Sequence, residues 1–421
     1  MSAEERASTV SPGPAGPLAQ LKEMRRAHVE KYYHMAGHAH EYGKPLAWSC
    51  GPNISELLDS MGIITFRPAS YCALAAAKGS ALRYCDVAAS SGYSPDLCSY
   101  GRVALGMMIS GEAPLGSMPV PDIVVNDATL CDCDNKGWEP FALHYKVPLY
   151  YLEGPMRFSE ELPPHFLRWK VDDLKECAKF LELHTGRKFD LERFKEKMHI
   201  AARTRQLITQ LQEYRKLIPS PVDHQELYDA VFYQANVPAA QEAIEYLTRF
   251  LKIVRDNVKN GVGATPKERY RVFFDGIAIW HDLKLYKYLR DRGVAIVWDT
   301  YTNLEFLSHC FHGVPDDPEK PFEALALKYL YAINNLSIRL NMQAVKRAVE
   351  EWHCHGAIIY NNKSCKPYST GNLIKARMLR EHGIPTLVLD IDHTDPSGYS
   401  PGETRQRIDA FLEILDARRK V

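Results

Sequence analysis

Short apolar runs alternate with helix-length amphipathic stretches along most of the chain, and the alternation occurs twice. Leu46-Ala47-Trp48-Ser49 predicts a strand. A helix from about Ser55 to Met61 follows, and Gly62 starts a second strand over Ile63-Ile64-Thr65-Phe66. Ile123-Val124-Val125 and residues 147–153 supply two more. The distal half starts the same way with Val272-Phe273-Phe274, a longer helix, and a strand over 294–298; residues 357–360 and 384–390 complete the set. Continuous apolar runs separated by helices mark parallel strands covered on both faces, so the pattern predicts an α/β fold with two parallel sheets. Between the halves the spacing becomes helical. Asp190 is placed to cap a helix carrying Leu191, Phe194, Met198 and Ala202, Asp223 and Glu226 form a capping box, and Pro238 interrupts the next run. The organisation expected is a disordered lead and helical N-terminal segment over 1–44, a first α/β domain over 45–156, a helical linking region over 157–266 and a second α/β domain over 267–421.

The strand pattern carries cysteines in a repeated place. Cys131 lies eight residues past Ile123, and Cys365 lies eight residues past Ala357. A strand-loop-Cys-helix-strand unit delivers its thiol to the carboxyl end of a parallel sheet, where open α/β folds bind ligands. A third cysteine, Cys98, sits in Gly92-Tyr93-Ser94-Pro95-Asp96-Leu97-Cys98. Ser94 suits an N-cap and Pro95 the first helical position, which puts Cys98 in the first turn, where the free amides and helix dipole favour a thiolate. Three thiolates from distant loops do not match structural zinc, which takes four ligands from tight pairs. They match a [4Fe–4S] cubane with one iron left open. Cys131-Asp132-Cys133 and His353-Cys354-His355 are zinc-like fragments without a second tight pair at suitable spacing. Cys72, Cys85, Cys177 and Cys310 default to core, as does Cys50, which ends a strand beside the crevice and is the alternative fourth ligand.

Charge and composition narrow the class further. The formal net charge is +0, so nothing favours nucleic acid or an anionic membrane surface. No apolar run approaches the ~18 residues of a membrane span and the N-terminus lacks an apolar signal core, so the chain reads as cytoplasmic. Its 10 cysteines then point to metal or redox chemistry rather than disulfides. The chain contains no G-x-x-x-x-G-K-[ST] and no G-x-G-x-x-G, so any ATP-driven step belongs to another subunit.

The segment Gly92 to Arg102, the segment around Cys131-Asp132, and Asn361-Asn362-Lys363-Ser364-Cys365-Lys366-Pro367 together resemble the benzoyl-CoA reductase/2-hydroxyacyl-CoA dehydratase family. Gly106-Met107-Met108 and Pro52 to Leu57 are most similar to the larger catalytic subunit, in its benzoyl-CoA reductase branch. The resemblance implies two flavodoxin-like domains with a [4Fe–4S] cluster between them, held by Cys98, Cys131 and Cys365. It also implies a homologous cluster-bearing partner, an ATP-hydrolysing iron–sulfur activator, ferredoxin as electron source and an acyl-CoA substrate. The first expectation is a reductase giving a dienoyl-CoA from an aromatic acyl-CoA. A 2-hydroxyacyl-CoA dehydratase α subunit is the alternative, and an electron-relay scaffold a further one. Asp96, Asp132, His353 and His355 are candidate proton donors, and Arg102, Lys363 and Lys366 candidates for the CoA phosphates. One departure stands out: where the family commonly places a carboxylate after the proline ending the second strand, this chain has Ala69 after Pro68.

Overall fold

The computed structural model describes residues 16–49, 54–127, 131–305 and 307–419. Residues 1–15, Cys50 and the first residues of the Pro52 to Leu57 motif lie outside them; the lead expected to be disordered to about residue 20 is already helical from Pro17, where the helix Pro17–Gly37 begins with proline at its first position. Eight parallel strands form two four-stranded sheets among the described residues. The first contains β1 (Leu46–Ser49), β2 (Ile64–Phe66), β3 (Ile123–Asp127) and β4 (Leu149–Leu152), in the order β2-β1-β3-β4. The second contains β5 (Tyr270–Asp275), β6 (Val294–Asp299), β7 (Gly356–Asn362) and β8 (Thr386–Ile391), in the order β6-β5-β7-β8. Both are the flavodoxin-like order, so the α/β fold with two flavodoxin-like sheets and helical segments stands. In each sheet the chain reverses its direction of travel beside the central pair, β1/β3 or β5/β7. Loops leaving those strands diverge there and open a crevice.

Burial explains the apolar runs. Every residue of β1, β3, β5 and β6 is buried, as strands covered on both faces require. Alternation along β1 still divides the layers: Leu46 and Trp48 pack with Phe66, Val103 and Phe141, whereas Ala47 packs on the opposite face with Leu174, Phe194 and Tyr329. Tyr329 comes from the helix Pro321–Leu330, so a distal segment covers the first sheet. It is pinned by charge. Glu56, fully buried at the start of the helix Ser55–Ser60, receives Lys328 Nζ at 3.1 Å and Arg205 Nη1 at 3.0 Å. Burial alone would raise its pKa, but the two cations outweigh that and hold it below the usual carboxylate value.

The helical stretches follow their patterns, with local differences. Asp190 caps the helix Leu191–Tyr214 by accepting from the Glu192 and Arg193 amides, and Asp223 caps His224–Ala235 through the Gln225 amide. In the helix Gln241–Lys259 the buried side chains Ala243, Tyr246, Leu247, Phe250, Leu251 and Val254 make one apolar stripe at helical spacing. After β5 the expected longer helix is replaced by a short 3-10 turn, Trp280–Asp282, and the helix Lys284–Asp291. Gly276 explains the break: its φ of +142° is one that other residues rarely adopt, and an added Cβ would meet the Tyr360 ring at 2.1 Å. Gly106 has a packing role, because a Cβ there would lie 2.0 Å from the Tyr84 carbonyl where two helices cross.

Candidate functional site

Cys98, Cys131 and Cys365 share one local geometry: each is the N-cap residue of a helix, respectively Ser99–Ser110, Asp132–Gly137 and Lys366–Ser369. Cys98 therefore stands one residue outside the helix and not within its first turn. Ser94 and Pro95 form a separate turn, in which the Leu97 amide donates to the Ser94 carbonyl and the Ser94 hydroxyl accepts from the Asp96 amide. Cys131 follows β3 and Cys365 follows β7, the equivalent strands of the two sheets, each beside the central crevice. The helices begun by Cys98 and Cys131 pack against each other.

The loops of Cys98 and Cys365 are joined across 265 residues of sequence. The Ser99 amide donates to Ser364 Oγ at 3.0 Å, so the residues adjoining the two cysteines are in direct contact. Ser364 Oγ in turn donates to Asp392 Oδ2 at 2.5 Å. Asp392 begins the loop beyond β8 and accepts from the Thr394 and Asp395 amides, both at 2.9 Å. Burial would raise its pKa, but His393 and these donors hold it well below the usual carboxylate range. Next to it, His393 is fully buried, with its ring 3.2 Å from Ser99 Oγ and 2.9 Å from the Asn362 amide nitrogen. Burial pushes that imidazole down to about 4, against the pull of Asp392. Arg102 closes the network by pairing with Asp395 at 2.9 Å and donating from Nε to the Leu97 carbonyl.

Several expected residues stand elsewhere. Arg102 is committed to that buried pair, and Lys363, Lys366 and Asp96 are exposed. His353 and His355 precede β7, at its amino end; seven strand residues separate them from the Cys365 end, roughly 23 Å at about 3.3 Å each. His355 Nδ1 accepts from the Arg271 amide, and Cys354 is buried with its pKa raised to about 12 by burial, so this triplet is structural. The Asp132 side chain lies outside the described residues. Cys72, Cys85 and Cys177 are buried, as the core reading has it. Cys310 is only half-buried, and with His309 and Asp316 it forms a group of metal-ligating atoms. Arg205 already binds both Asp316 oxygens at 2.6 and 2.9 Å; a guanidinium there opposes a cation, so the group does not fit a metal ion.

Asp392, His393 and Asp395 escaped the sequence reading. Their signal was available: Asp392-His393-Thr394-Asp395 is a polar run just past the carboxyl end of a parallel strand.

An aromatic cavity of ≈ 300 Å³ lies against this network. Tyr100, two residues past Cys98, forms part of its wall, and its ring meets His393 edge-on with centroids 4.2 Å apart. Trp280, also in the wall, donates from Nε1 to the Tyr100 hydroxyl at 2.5 Å and from its amide to the His393 carbonyl at 3.0 Å.

The chain is 27% identical to the (R)-2-hydroxyisocaproyl-CoA dehydratase alpha subunit of Clostridioides difficile, over 93% of this chain and 95% of that one. It is 27% identical to the (R)-phenyllactyl-CoA dehydratase alpha subunit of Clostridium sporogenes, over 91% and 92%. It is also 27% identical to one of the subunits of the benzoyl-CoA reductase of Thauera aromatica, over 79% of each. Residues 54–415 match the family described as 2-hydroxyglutaryl-CoA dehydratase, D-component. Fold, paired cysteine loops and sequence agree, and the chain belongs to the benzoyl-CoA reductase/2-hydroxyacyl-CoA dehydratase family of acyl-CoA-acting enzymes.

Proposed function

We propose that the chain is the cluster-bearing α subunit of a 2-hydroxyacyl-CoA dehydratase, which removes the 2-hydroxyl and a hydrogen from carbon 3 to leave water and a 2-enoyl-CoA. The observation that carries this is the joining of the Cys98 loop to the Cys365 loop, at the carboxyl end of the second sheet, by the Ser99–Ser364 bond, with the helix begun by Cys131 packed on the one begun by Cys98. The resemblance put the reductase branch first, but two of the three relatives named above are dehydratase alpha subunits, and that favours the dehydratase.

The donor set fits a [4Fe–4S] group. Cys98, Cys131 and Cys365 each occupy the N-cap position of a helix, where unpaired amides favour negative charge, and they reach the site from separate loops. When bound, the cluster supplies one electron of low potential to an acyl thioester, which makes an otherwise non-acidic carbon-3 hydrogen removable. The chain's own residues do the rest. Ser364, Asp392 and the Ser99 amide hold the loops in register. Tyr100 and Trp280 put an aromatic wall beside them. His393 stays neutral at physiological pH because of its burial, so it adds no charge beside the loops. The relatives are parts of multi-subunit enzymes by name, and we extend that here to a homologous partner, an ATP-hydrolysing iron–sulfur activator and ferredoxin.

The test is anaerobic purification with partner and activator, then iron analysis and turnover of an (R)-2-hydroxyacyl-CoA. About four irons per chain, with many product molecules per electron supplied, support the proposal. Consumption of electrons in every turnover, with benzoyl-CoA as the better substrate, would reinstate the reductase. A chain purified without iron would overturn both.

A further inference from the structure

The aromatic cavity has a composition that bears on which acyl group it takes. Six rings line it: Tyr33, Tyr100, Tyr228, Phe232, Trp280 and Tyr301. Three of them meet one another at ring distances of 6.0 to 6.3 Å, with Tyr301 edge-on to both Tyr228 and Trp280. Such a box offers ring faces and edges to a further ring, the arrangement aromatic pairs prefer. Its floor is one face of the helix Pro68–Ala77, where Ala69, Ala73 and Ala77 follow at a spacing of four residues. Small side chains there create the room. Ala69 occupies the place at which the resemblance led us to expect a carboxylate, so the departure falls on the cavity wall itself.

Volume restricts the occupant. A cavity of about 150 Å³ accommodates benzene, so ≈ 300 Å³ has space for a phenyl ring and the carbons joining it to a thioester. A lactoyl methyl would leave most of it unfilled. The charged side chains of the wall are Arg67 and the pair of Asp229 with Arg25 at 3.3 Å, so it is the rings and the volume that discriminate, and not charge. Orientation follows from the neighbours. Tyr100 and Trp280 face the Cys98 loop, whereas Phe232 and Asn236 are shared with a second cavity of ≈ 250 Å³. That second cavity carries Lys31, Lys44 and Lys197 against Asp59 and Glu242. It suits the phosphate-bearing end of a CoA thioester, as the aromatic box suits the acyl end.

We propose that this aromatic cavity is the acyl pocket and that it selects an acyl group bearing an aryl ring on carbon 3, with Ala69 and Ala73 setting its capacity. The inference rests on the acyl-CoA reading above. Its test is a binding measurement, independent of turnover: dissociation constants of phenyllactyl-CoA, 2-hydroxyisocaproyl-CoA, lactoyl-CoA and 2-hydroxyglutaryl-CoA for the purified chain with its partner subunit. Phenyllactyl-CoA should bind at least about ten-fold more tightly than lactoyl-CoA, the scale on which apolar pockets discriminate. Ala73→Leu should bring that ratio close to one. Ala69→Leu, at a less buried position of the same floor, should do the same and covers a folding failure of the first variant. Lys197→Glu should weaken all four thioesters alike and leave the ratio intact.

Equal affinities in the wild type, tighter binding of the branched aliphatic thioester than of the aryl one, or an unchanged ratio in both alanine variants would overturn the assignment. If phenyllactyl-CoA binds with the stated preference but is not dehydrated by the activated complex, the dehydratase proposal fails and the pocket assignment survives.

Discussion

Ser364→Ala removes one hydroxyl at the join between two loops that the sequence keeps 265 residues apart. In the wild type that hydroxyl accepts from the Ser99 amide at 3.0 Å and donates to Asp392 Oδ2 at 2.5 Å. Ser99 is fully buried and its amide opens a helix, so it has no carbonyl four residues back within that helix to bond. An unsatisfied buried donor costs about 1–3 kcal/mol, and a bond to a charged group contributes about 1.5–3 kcal/mol. Asp392 retains the Thr394 and Asp395 amides, so its share falls at the low end, and the whole substitution should cost about 3 kcal/mol. Urea unfolding followed by tryptophan fluorescence reads the stability, and iron per chain after anaerobic purification reads the site. Both should fall in Ser364→Ala, while Ser364→Thr, which keeps a hydroxyl, should recover most of the stability. A Ser364→Ala chain within about 0.5 kcal/mol of wild type and with full iron would refute the view that this bond holds the cysteine loops together.

Three further outcomes follow from the same structure. Alanine at Cys98, Cys131 or Cys365 should abolish iron retention, measured per chain, whereas alanine at buried Cys72 should spare it; the reverse pattern would sink the ligand assignment. His224 is buried beside Arg215, and its pKa is lowered by that burial to about 4 from 6.5. The unfolded chain therefore binds the proton first, and stability present above pH 6.5 is lost as pH falls towards 4, by about 3 kcal/mol for this group. His224→Gln should flatten that acid limb in urea titrations run across pH; an unchanged slope would count against the assignment. Gly276→Ala should cost on the order of 3 kcal/mol or more, since the new Cβ meets the Tyr360 ring at 2.1 Å on a backbone with φ +142°. A stable Gly276→Ala chain would mean that the turn after β5 is looser than described.

The sequence by itself determined the sheets and the positions at which two of the cysteines leave them. Parallel strands buried on both faces must be written as continuous apolar runs, and such runs are local, so β1, β3, β5 and β7 could be read directly along with Cys131 and Cys365 behind β3 and β7. Cys98 was legible only approximately. Ser94-Pro95 is a sound helix start locally, and it took the folded chain to make that segment a turn and begin the helix at Ser99. The join between loops belongs to tertiary structure alone. Ser99, Ser364, Asp392 and His393 are ordinary polar residues until two sheets bring them together and exclude water, and only then does each need the others as partners. The same holds for the aromatic cavity. Tyr33, Tyr100, Phe232 and Trp280 come from four distant segments, each with an apolar residue that could have been core. Whether such rings fill a core or enclose a space depends on how closely the helices behind them approach, and short-range periodicity carries no information about that distance.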